Sequence, residues 1–162
     1  MIRIIPDKQR RINNMSDITY EVKVCKNGSQ HWYKEGKLHR EDGPAVIRSN
    51  GYQAWYKEGK LHREDGPAVL EADGDKYWYK EGKLHREDGP AVLEADGAQH
   101  WYKNDKIHRE DGPAVIRPNG YKAWYINGKK LTVTEDGFIN RAKEPKTIII
   151  DGVEYILTKK DQ

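Results

Sequence analysis

The sequence predicts an all-β protein, a solenoid-like stack of antiparallel β-hairpins that ends in a C-terminal capping hairpin. Two observations favour this fold. All five tryptophans recur at an interval of 23 residues, at Trp32, Trp55, Trp78, Trp101 and Trp124, and a fixed period of roughly 20–50 residues is typical of stacked repeats. Inside the repeat, short β-prone runs alternate with glycine-containing turns and no helical period occurs.

The most regular part of the repeat is the segment His-Arg-Glu-Asp-Gly-Pro-Ala-Val, which occurs four times without change. Its copies cover residues 39–46, 62–69, 85–92 and 108–115. Because these positions do not vary between units, we expect them to hold the repeat together. Besides the five tryptophans, this structural set contains His39, His62, His85, His108, Gly43, Gly66, Gly89 and Gly112.

One unit illustrates the expected hairpins. Residues 45–48 form a short β-prone run, Asn50-Gly51 marks a hairpin turn, and residues 52–56 form the returning strand. Residues 57–60 form a second tight turn in which Gly59 supplies a left-handed residue. A single hairpin is marginally stable in water. The units are therefore expected to stack side by side, about 10 Å apart.

The repeats divide the chain into three parts. Residues 1–16 form a polar N-terminal segment, residues 17–131 hold a half unit and about four units, and residues 132–162 form a C-terminal cap. In the cap, residues 134–141 are predicted to form a single helical turn. The strands that flank Asp151-Gly152 carry a strong hairpin signal.

The charge pattern argues against a uniform groove for nucleic acid. The net charge is +3, and charged residues make up 34% of the chain. Residues 55–77 hold four basic and six acidic side chains, and residues 78–100 hold three and five. Residues 1–31, in contrast, hold six basic and three acidic side chains. The acidic middle also argues weakly against an anionic membrane surface.

Cysteine content and hydropathy suggest a cytoplasmic protein. Cys25 is the single cysteine, so neither an intramolecular disulfide nor a cysteine-based zinc site is expected. No stretch of the sequence approaches the roughly 20 apolar residues of a membrane span. A membrane location is therefore not expected.

The recurring polar residues do not form a convincing catalytic set. Histidines that repeat about 10 Å apart cannot converge on one metal ion. The adjacent glutamate and aspartate of each unit point to opposite faces of an extended chain, and no nucleophile accompanies them. We therefore expect no enzyme, no catalytic or metal-binding residue and no cofactor.

Two groups of residues are candidates for contact with a partner. The tyrosine that follows each tryptophan should face away from it and reach the surface, whereas the tryptophans themselves should form the core. The turn regions 48–54, 71–77, 94–100 and 117–123 vary between units and could carry specificity. The candidate surface consists of Tyr33, Tyr56, Tyr79, Tyr102, Tyr125, Arg48, Tyr52, Glu71, Asp73, Asp75, Glu94, Asp96, Arg117 and Tyr121.

The pattern of Tyr56, Gly59, Lys60 and His62, followed by a glycine-turn strand every 23 residues, resembles the MORN repeat. The resemblance covers roughly residues 18–131. It departs from the usual His-Gly-x-Gly step, because this chain reads His-Arg-Glu-Asp-Gly-Pro there. Similar Asp-Gly-Pro-Ala repeats are familiar from bacteriophage and large-virus proteins, and MORN-like chains occur among bacterial antitoxins. The resemblance implies a hairpin solenoid with an interaction role and no chemistry.

The expected function is a non-enzymatic protein-binding module. The resemblance suggests a small phage-borne inhibitor of a host bacterial defence factor, or an antitoxin-type partner, so the expected partner is a bacterial protein. A nucleic-acid or nucleotide-binding protein that uses a Tyr, Lys and Arg face is the first alternative. A viral structural or assembly component is the second. The oligomeric state stays open.

Overall fold

A computed structural model describes residues 10–13, 19–131, 147–150 and 153–156. All regular elements of these residues are β-strands, and none of them is helical. The chain order is β1 Arg10–Asn13, β2 Thr19–Val24, β3 Gln30–Lys34, β4 Lys37–Leu38, β5 Val46–Ile47, β6 Gln53–Ala54, β7 Tyr56–Lys57, β8 Lys60–Leu61, β9 Val69–Leu70, β10 Lys76–Tyr77, β11 Tyr79–Lys80, β12 Lys83–Leu84, β13 Val92–Leu93, β14 Gln99–His100, β15 Tyr102–Lys103, β16 Lys106–Ile107, β17 Val115–Ile116, β18 Lys122–Ala123, β19 Tyr125–Ile126, β20 Lys129–Lys130, β21 Thr147–Ile150 and β22 Val153–Ile156.

An open antiparallel sheet of 12 strands runs through the repeats. Eleven of its strands form one path, β1-β2-β3-β5-β6-β9-β10-β13-β14-β17-β18, and β4 pairs with β3 beside that path. Each unit contributes one hairpin to this sheet, which we call the sheet hairpin; β5-β6 is an example, with Val46 opposite Ala54. Because each sheet hairpin pairs with the next, as β6 does with β9, the all-β prediction of antiparallel hairpins is confirmed.

Each unit also makes a second hairpin, which we call the short hairpin; apart from β3, its strands lie outside the main path. The short hairpins are β3-β4, β7-β8, β11-β12, β15-β16 and β19-β20. A single backbone hydrogen bond joins each to its predecessor: Gly59 N donates to Leu38 O at 2.8 Å, and Gly82 N donates to Leu61 O at 2.8 Å. The short hairpins therefore form a second row beside the sheet.

The expected strand 52–56 is interrupted at the tryptophan. Trp55 N donates to Ala68 O of the following unit, and Trp55 O accepts from His62 N of its own unit. These two bonds turn the chain out of the sheet, so β6 ends at Ala54 and β7 begins at Tyr56. The sequence pattern did not reveal this break, because aromatic residues favour a strand on either side of it.

The two hairpins use different turns. In the sheet hairpin, Gly51 N donates to Arg48 O, Arg48 N donates to Tyr52 O, and Gly51 has a φ of 95°. This is a three-residue loop with a left-handed glycine. In the short hairpin, both central residues are left-handed, with φ of 51° at Glu58 and 81° at Gly59. Both turns were predicted from the sequence, but the left-handed glutamate was not.

The core is a thin layer of small side chains. The alanine of each Gly-Pro-Ala-Val step is fully buried, at 0% exposure for Ala45, Ala68, Ala91 and Ala114. The valine after it is 5–7% exposed. Tyr52, Ala54 and neighbouring valines form a buried cluster, against which Leu38 and Leu61 pack. Such a layer suits a chain with few large aliphatic residues.

The strands at the C-terminal end were predicted from the sequence, whereas the strand near the N-terminal end was not. β21 and β22 pair with Ile150 opposite Val153, so the predicted C-terminal hairpin is confirmed. At the other end, β1 lies within the segment 1–16, where no strand was expected, and pairs with β2. The helical turn predicted for residues 134–141 lies outside the described residues.

Candidate functional site

The segment His-Arg-Glu-Asp-Gly-Pro, here called the Arg loop, closes around its own arginine. In residues 62–67, Arg63 Nε donates to Asp65 Oδ1 at 2.8 Å and Arg63 Nη1 donates to Pro67 O at 3.3 Å. The same guanidinium lies over the Trp55 ring, 4.1 Å from its centroid. The arrangement recurs at Arg40, Arg86 and Arg109. A cation-π contact and charge-assisted hydrogen bonds thus explain the invariance of Arg, Asp and Trp.

The glycine of the Arg loop is required by this packing. A Cβ on Gly66 would lie 3.1 Å from Arg63 Cζ, closer than ordinary van der Waals contact. The other three loops show the same approach, at 3.0–3.2 Å. Because these glycines do not have a left-handed backbone, the absence of a side chain, rather than backbone freedom, explains their conservation between units.

The histidine of the Arg loop links neighbouring units. Glu58 N donates to His39 Nδ1 at 3.2 Å, and Glu81 N donates to His62 Nδ1 at 3.2 Å. His108 accepts from Asn127 N in the same way, whereas His85 Nδ1 lies 2.9 Å from Asn104 Oδ1. These contacts fit the structural role that the sequence suggested.

The tryptophans are less buried than the core assignment implied. Trp32 is 8% exposed, but Trp55, Trp78, Trp101 and Trp124 are only partly buried. Trp55 and Trp78 form part of the lining of two grooves between successive Arg loops, of about 650 and 760 Å³. The first four rings serve as platforms for arginine rather than as a sealed core.

The tyrosines next to the tryptophans are half-buried rather than free on the surface. Tyr56 and Tyr79 pack against the buried cluster of Tyr52 and Val69. Burial raises the pKa of Tyr79, with smaller contributions from the nearby Asp105, Tyr56 and Tyr102. The candidate tyrosines Tyr33, Tyr56, Tyr79, Tyr102 and Tyr125 thus share an intermediate burial, which makes them weaker contact candidates than the variable turns.

The variable turns lie side by side and form what we call the turn edge, residues 25–29, 48–52, 71–75, 94–98 and 117–121. Ser49 N donates to Ser29 Oγ at 3.2 Å, which joins the first two turns. Ala95 N donates to Asp75 Oδ1 at 2.7 Å, which joins the third and fourth. Strand pairing joins the second turn to the third through β6 and β9, and the fourth to the fifth through β14 and β17. The turns that vary most between units therefore form one continuous edge.

Some residues of the turn edge have a structural task as well. Asp75 also accepts from the Tyr77 hydroxyl at 3.1 Å; burial, then this bond and the Asp75 charge, raise the pKa of Tyr77 to about 12. Asp73, Asp96 and the asparagines in the same slot accept a backbone N–H two residues later. An asparagine can therefore replace either aspartate without breaking the turn.

The remaining candidates of the turn edge include residues of its second, fourth and fifth turns. Arg48 stacks on Tyr52 at 4.2 Å, and Tyr52 is itself buried. Arg117 lies 5.2 Å from the ring centroid of Tyr121, which is 41% exposed. Glu94 pairs with His100 at 3.1 Å. The structure thus brings Arg48, Glu71, Asp73, Glu94, Asp96 and Arg117 to one edge, in the order basic, acidic, acidic, basic.

Among the residues that the structure describes, no group of three His, Cys, Asp or Glu side chains is placed to hold a metal ion. Within the same residues, no helix has the length and apolar character needed to cross a membrane. Comparisons of the chain with protein-family models, curated proteins and solved structures found no match.

Proposed function

We propose that this chain is a non-enzymatic protein-binding module, a MORN-like hairpin solenoid that binds its partner along the turn edge. The observation that carries the proposal is the contact between successive variable turns. A continuous edge lets residues from different units contact one partner together. Since these turns differ most in charge from unit to unit, they are the part of the repeat suited to specificity.

The charge order of the turn edge indicates the chemistry of the partner. Arg48 precedes the acidic turns that carry Glu71, Asp73, Glu94 and Asp96, and Arg117 follows them. A complementary partner carries a basic centre flanked by acidic groups. Such an arrangement fixes the orientation of the bound chain, because a reversed or shifted register places like charges together.

The origin of the partner is inferred from the resemblance. Phage-borne and antitoxin-type MORN-like chains suggest that the bound protein is a bacterial host factor, inhibited by direct cytoplasmic contact. The inhibitor role and the antitoxin role predict the same stoichiometric complex. They differ in whether the partner defends the cell or poisons it when free, so the identity of the partner decides between them.

Two matched variants test the proposal after capture of a partner from bacterial lysate with the tagged chain. Glu71→Gln/Asp73→Asn/Glu94→Gln/Asp96→Asn neutralises the acidic turns and keeps the side-chain acceptors of the turns. Glu41→Gln/Glu64→Gln/Glu87→Gln/Glu110→Gln removes the same number of charges from the Arg loops. We expect the first variant to weaken binding at least about 30-fold by calorimetry and the second to change it less than about threefold. Equal effects of both variants would contradict the turn edge as the contact surface.

A further inference from the structure

The short hairpins carry a second charged surface. It is not visible in the net charge of a whole repeat. Residues 34–37, 57–60, 80–83, 103–106 and 126–130 hold ten lysines and four acidic residues. The matching excess of acidic groups lies in the Arg loops and the turn edge. The repeat is therefore nearly balanced in sequence but segregated in space, with its lysines gathered in one row of hairpins.

The lysines face each other across every one of the first four short hairpins. Strand pairing places Lys57 opposite Lys60 and Lys80 opposite Lys83. The pairs at the two ends of the row are Lys34 with Lys37 and Lys103 with Lys106. Directly opposed residues lie about 5 Å apart at Cβ on one face, and like charges in this arrangement destabilise a hairpin. Opposite charges or a threonine pair would stabilise the same position.

Nothing else in the described residues offsets this repulsion by a close ion pair. Lys57, Lys60, Lys80 and Lys83 are exposed, and the ion pairs of the described residues include none of these four. The Glu81 carboxylate, which sits between two of them in sequence, instead lies 3.5 Å from His62 Nδ1. The carboxylate of this turn glutamate thus lies beside the Arg loop of the preceding unit.

Contacts between the short hairpins align the lysine pairs into two rows. Gly59 N donates to Leu38 O, and a Cβ on Gly59 would lie 3.7 Å from Lys37 Cβ. Gly82 meets Lys60 at 3.6 Å in the same way. The stems of Lys37 and Lys60 therefore lie alongside the turn of the next hairpin. With a repeat of about 10 Å, five hairpins extend over about 40 Å.

We propose that these two lysine rows bind the phosphate backbone of nucleic acid without reading its sequence. A destabilising pair repeated in register is the kind of local conflict that marks a functional surface. Evenly spaced cations along a line match a polymer with evenly spaced anions. Lysine is a point-charge contact for phosphate, whereas reading bases requires side chains that reach their edges. A length of about 40 Å corresponds to about 12 base pairs of duplex.

Lys130 Nζ donates to the Tyr121 hydroxyl at 3.3 Å, so this surface meets the turn edge in the last unit. The opposed lysine pairs lie in the four earlier hairpins, so the chain could hold a protein and a nucleic acid at once. Sequence reasoning missed it because each 23-residue window mixes the lysines with acidic loops. The signal was nevertheless present, since lysines flank the turn at matching positions of the first four short hairpins. Only the pairing of the two strands in each short hairpin shows that these lysines lie directly opposite each other.

The test is the affinity of the full chain for a fluorescent duplex of 24 base pairs and for a single strand of the same length, measured at several salt concentrations. We expect binding whose logarithm falls linearly with the logarithm of salt. Lys57→Gln/Lys60→Gln/Lys80→Gln/Lys83→Gln should reduce the slope by about 3 and the affinity at low salt by at least about tenfold. Its thermal midpoint should equal or exceed that of the wild type, because the opposed charges are gone.

A control variant, Lys23→Gln/Lys26→Gln/Lys76→Gln/Lys122→Gln, removes the same charge from elsewhere and should lose less than about threefold in affinity. Vesicles with anionic phospholipid and a polyglutamate chain serve as competing polyanions. Selective loss in the short-hairpin variant, with either nucleic acid, supports the proposal. Equal loss in both variants, no binding at low salt, or preference for vesicles or polyglutamate over both nucleic acids would overturn it.

Discussion

The two hairpins of each unit have opposite roles in the molecule. The sheet hairpin is paired on both sides and contributes fully buried alanines such as Ala54 and Ala68. The short hairpin is linked to its predecessor by one backbone bond and exposes its lysines. The difference shows that one repeat separates its stabilising part from a part that is free to carry charge.

The largest expected effect comes from enlarging a buried side chain of the sheet hairpin. Ala68→Leu adds three carbons at a position with 0% exposure and should lower the free energy of unfolding by about 3 kcal/mol. Lys60→Leu, at an exposed position of the short hairpin, should change it by less than about 0.5 kcal/mol. Urea denaturation measures both variants, and similar losses would contradict the division between the two hairpins.

A smaller effect is expected in the Arg loop that connects the two hairpins. Arg63→Ala removes the contact with Trp55 and the bonds to Asp65 and Pro67, which should cost about 2 kcal/mol. Gly66→Ala alone should be destabilising by about 1 kcal/mol, because its Cβ meets the guanidinium.

In the double variant Arg63→Ala/Gly66→Ala, the second substitution should not lower the free energy of unfolding any further, because the guanidinium that the new Cβ would meet is absent. Free energies of unfolding for the four chains give the coupling. Additive losses would show that Gly66 is needed for a reason other than Arg63.

Alkaline pH should weaken the sheet hairpin through Tyr77. Its pKa is raised from 10.0 to about 12 in the folded chain, so the folded state holds the phenol proton more tightly than the unfolded state. This contribution to stability is complete below pH 10 and is lost as pH rises to 12. With allowance for solvent screening, we expect a loss of about 1–2 kcal/mol. Tyr77→Phe should flatten part of this decline, and an unchanged pH profile would exclude Tyr77 as its source.

The smallest expected effect is a stabilisation in the short hairpin. Glu58 has a φ of 51°, where Asn104 and Asn127 stand in later units with φ of 51° and 48°. Asparagine tolerates this left-handed conformation better than glutamate. Glu58→Asn should therefore raise the free energy of unfolding by about 0.5–1 kcal/mol. Glu58→Gln removes the same charge and keeps the strain, so an equal gain in both variants would point to charge instead.

Local signals predicted much of this fold, because turns and strands depend on residues close in sequence. Asn50-Gly51, Gly59 and Asp151-Gly152 each marked a turn or hairpin that the structure contains. The break at Trp55 could not be predicted, since it depends on a hydrogen bond to Ala68 in the following unit.

The candidate site was predicted less well than the fold, for a similar reason. The turn residues were identified from their variation between units, and the structure brings them to one edge. The arrangement of Arg63 over Trp55 and the opposition of Lys57 to Lys60 require strand pairing and loop closure. Residue spacing does not indicate that the Arg63 guanidinium lies over the Trp55 ring. Nor does it indicate that Tyr56 and Tyr79 are partly buried.

One measurement tests most directly the claim that separate surfaces of the repeat have separate partners. The tagged wild type, the neutralised turn-edge variant and the short-hairpin lysine variant are used to capture material from bacterial lysate, with and without nuclease, and protein and nucleic acid are quantified. We predict a stoichiometric protein that survives nuclease and is lost from the turn-edge variant alone. Nucleic acid should be lost from the lysine variant alone. Loss of both ligands from either single variant, or a protein that disappears with nuclease, would contradict two independent surfaces.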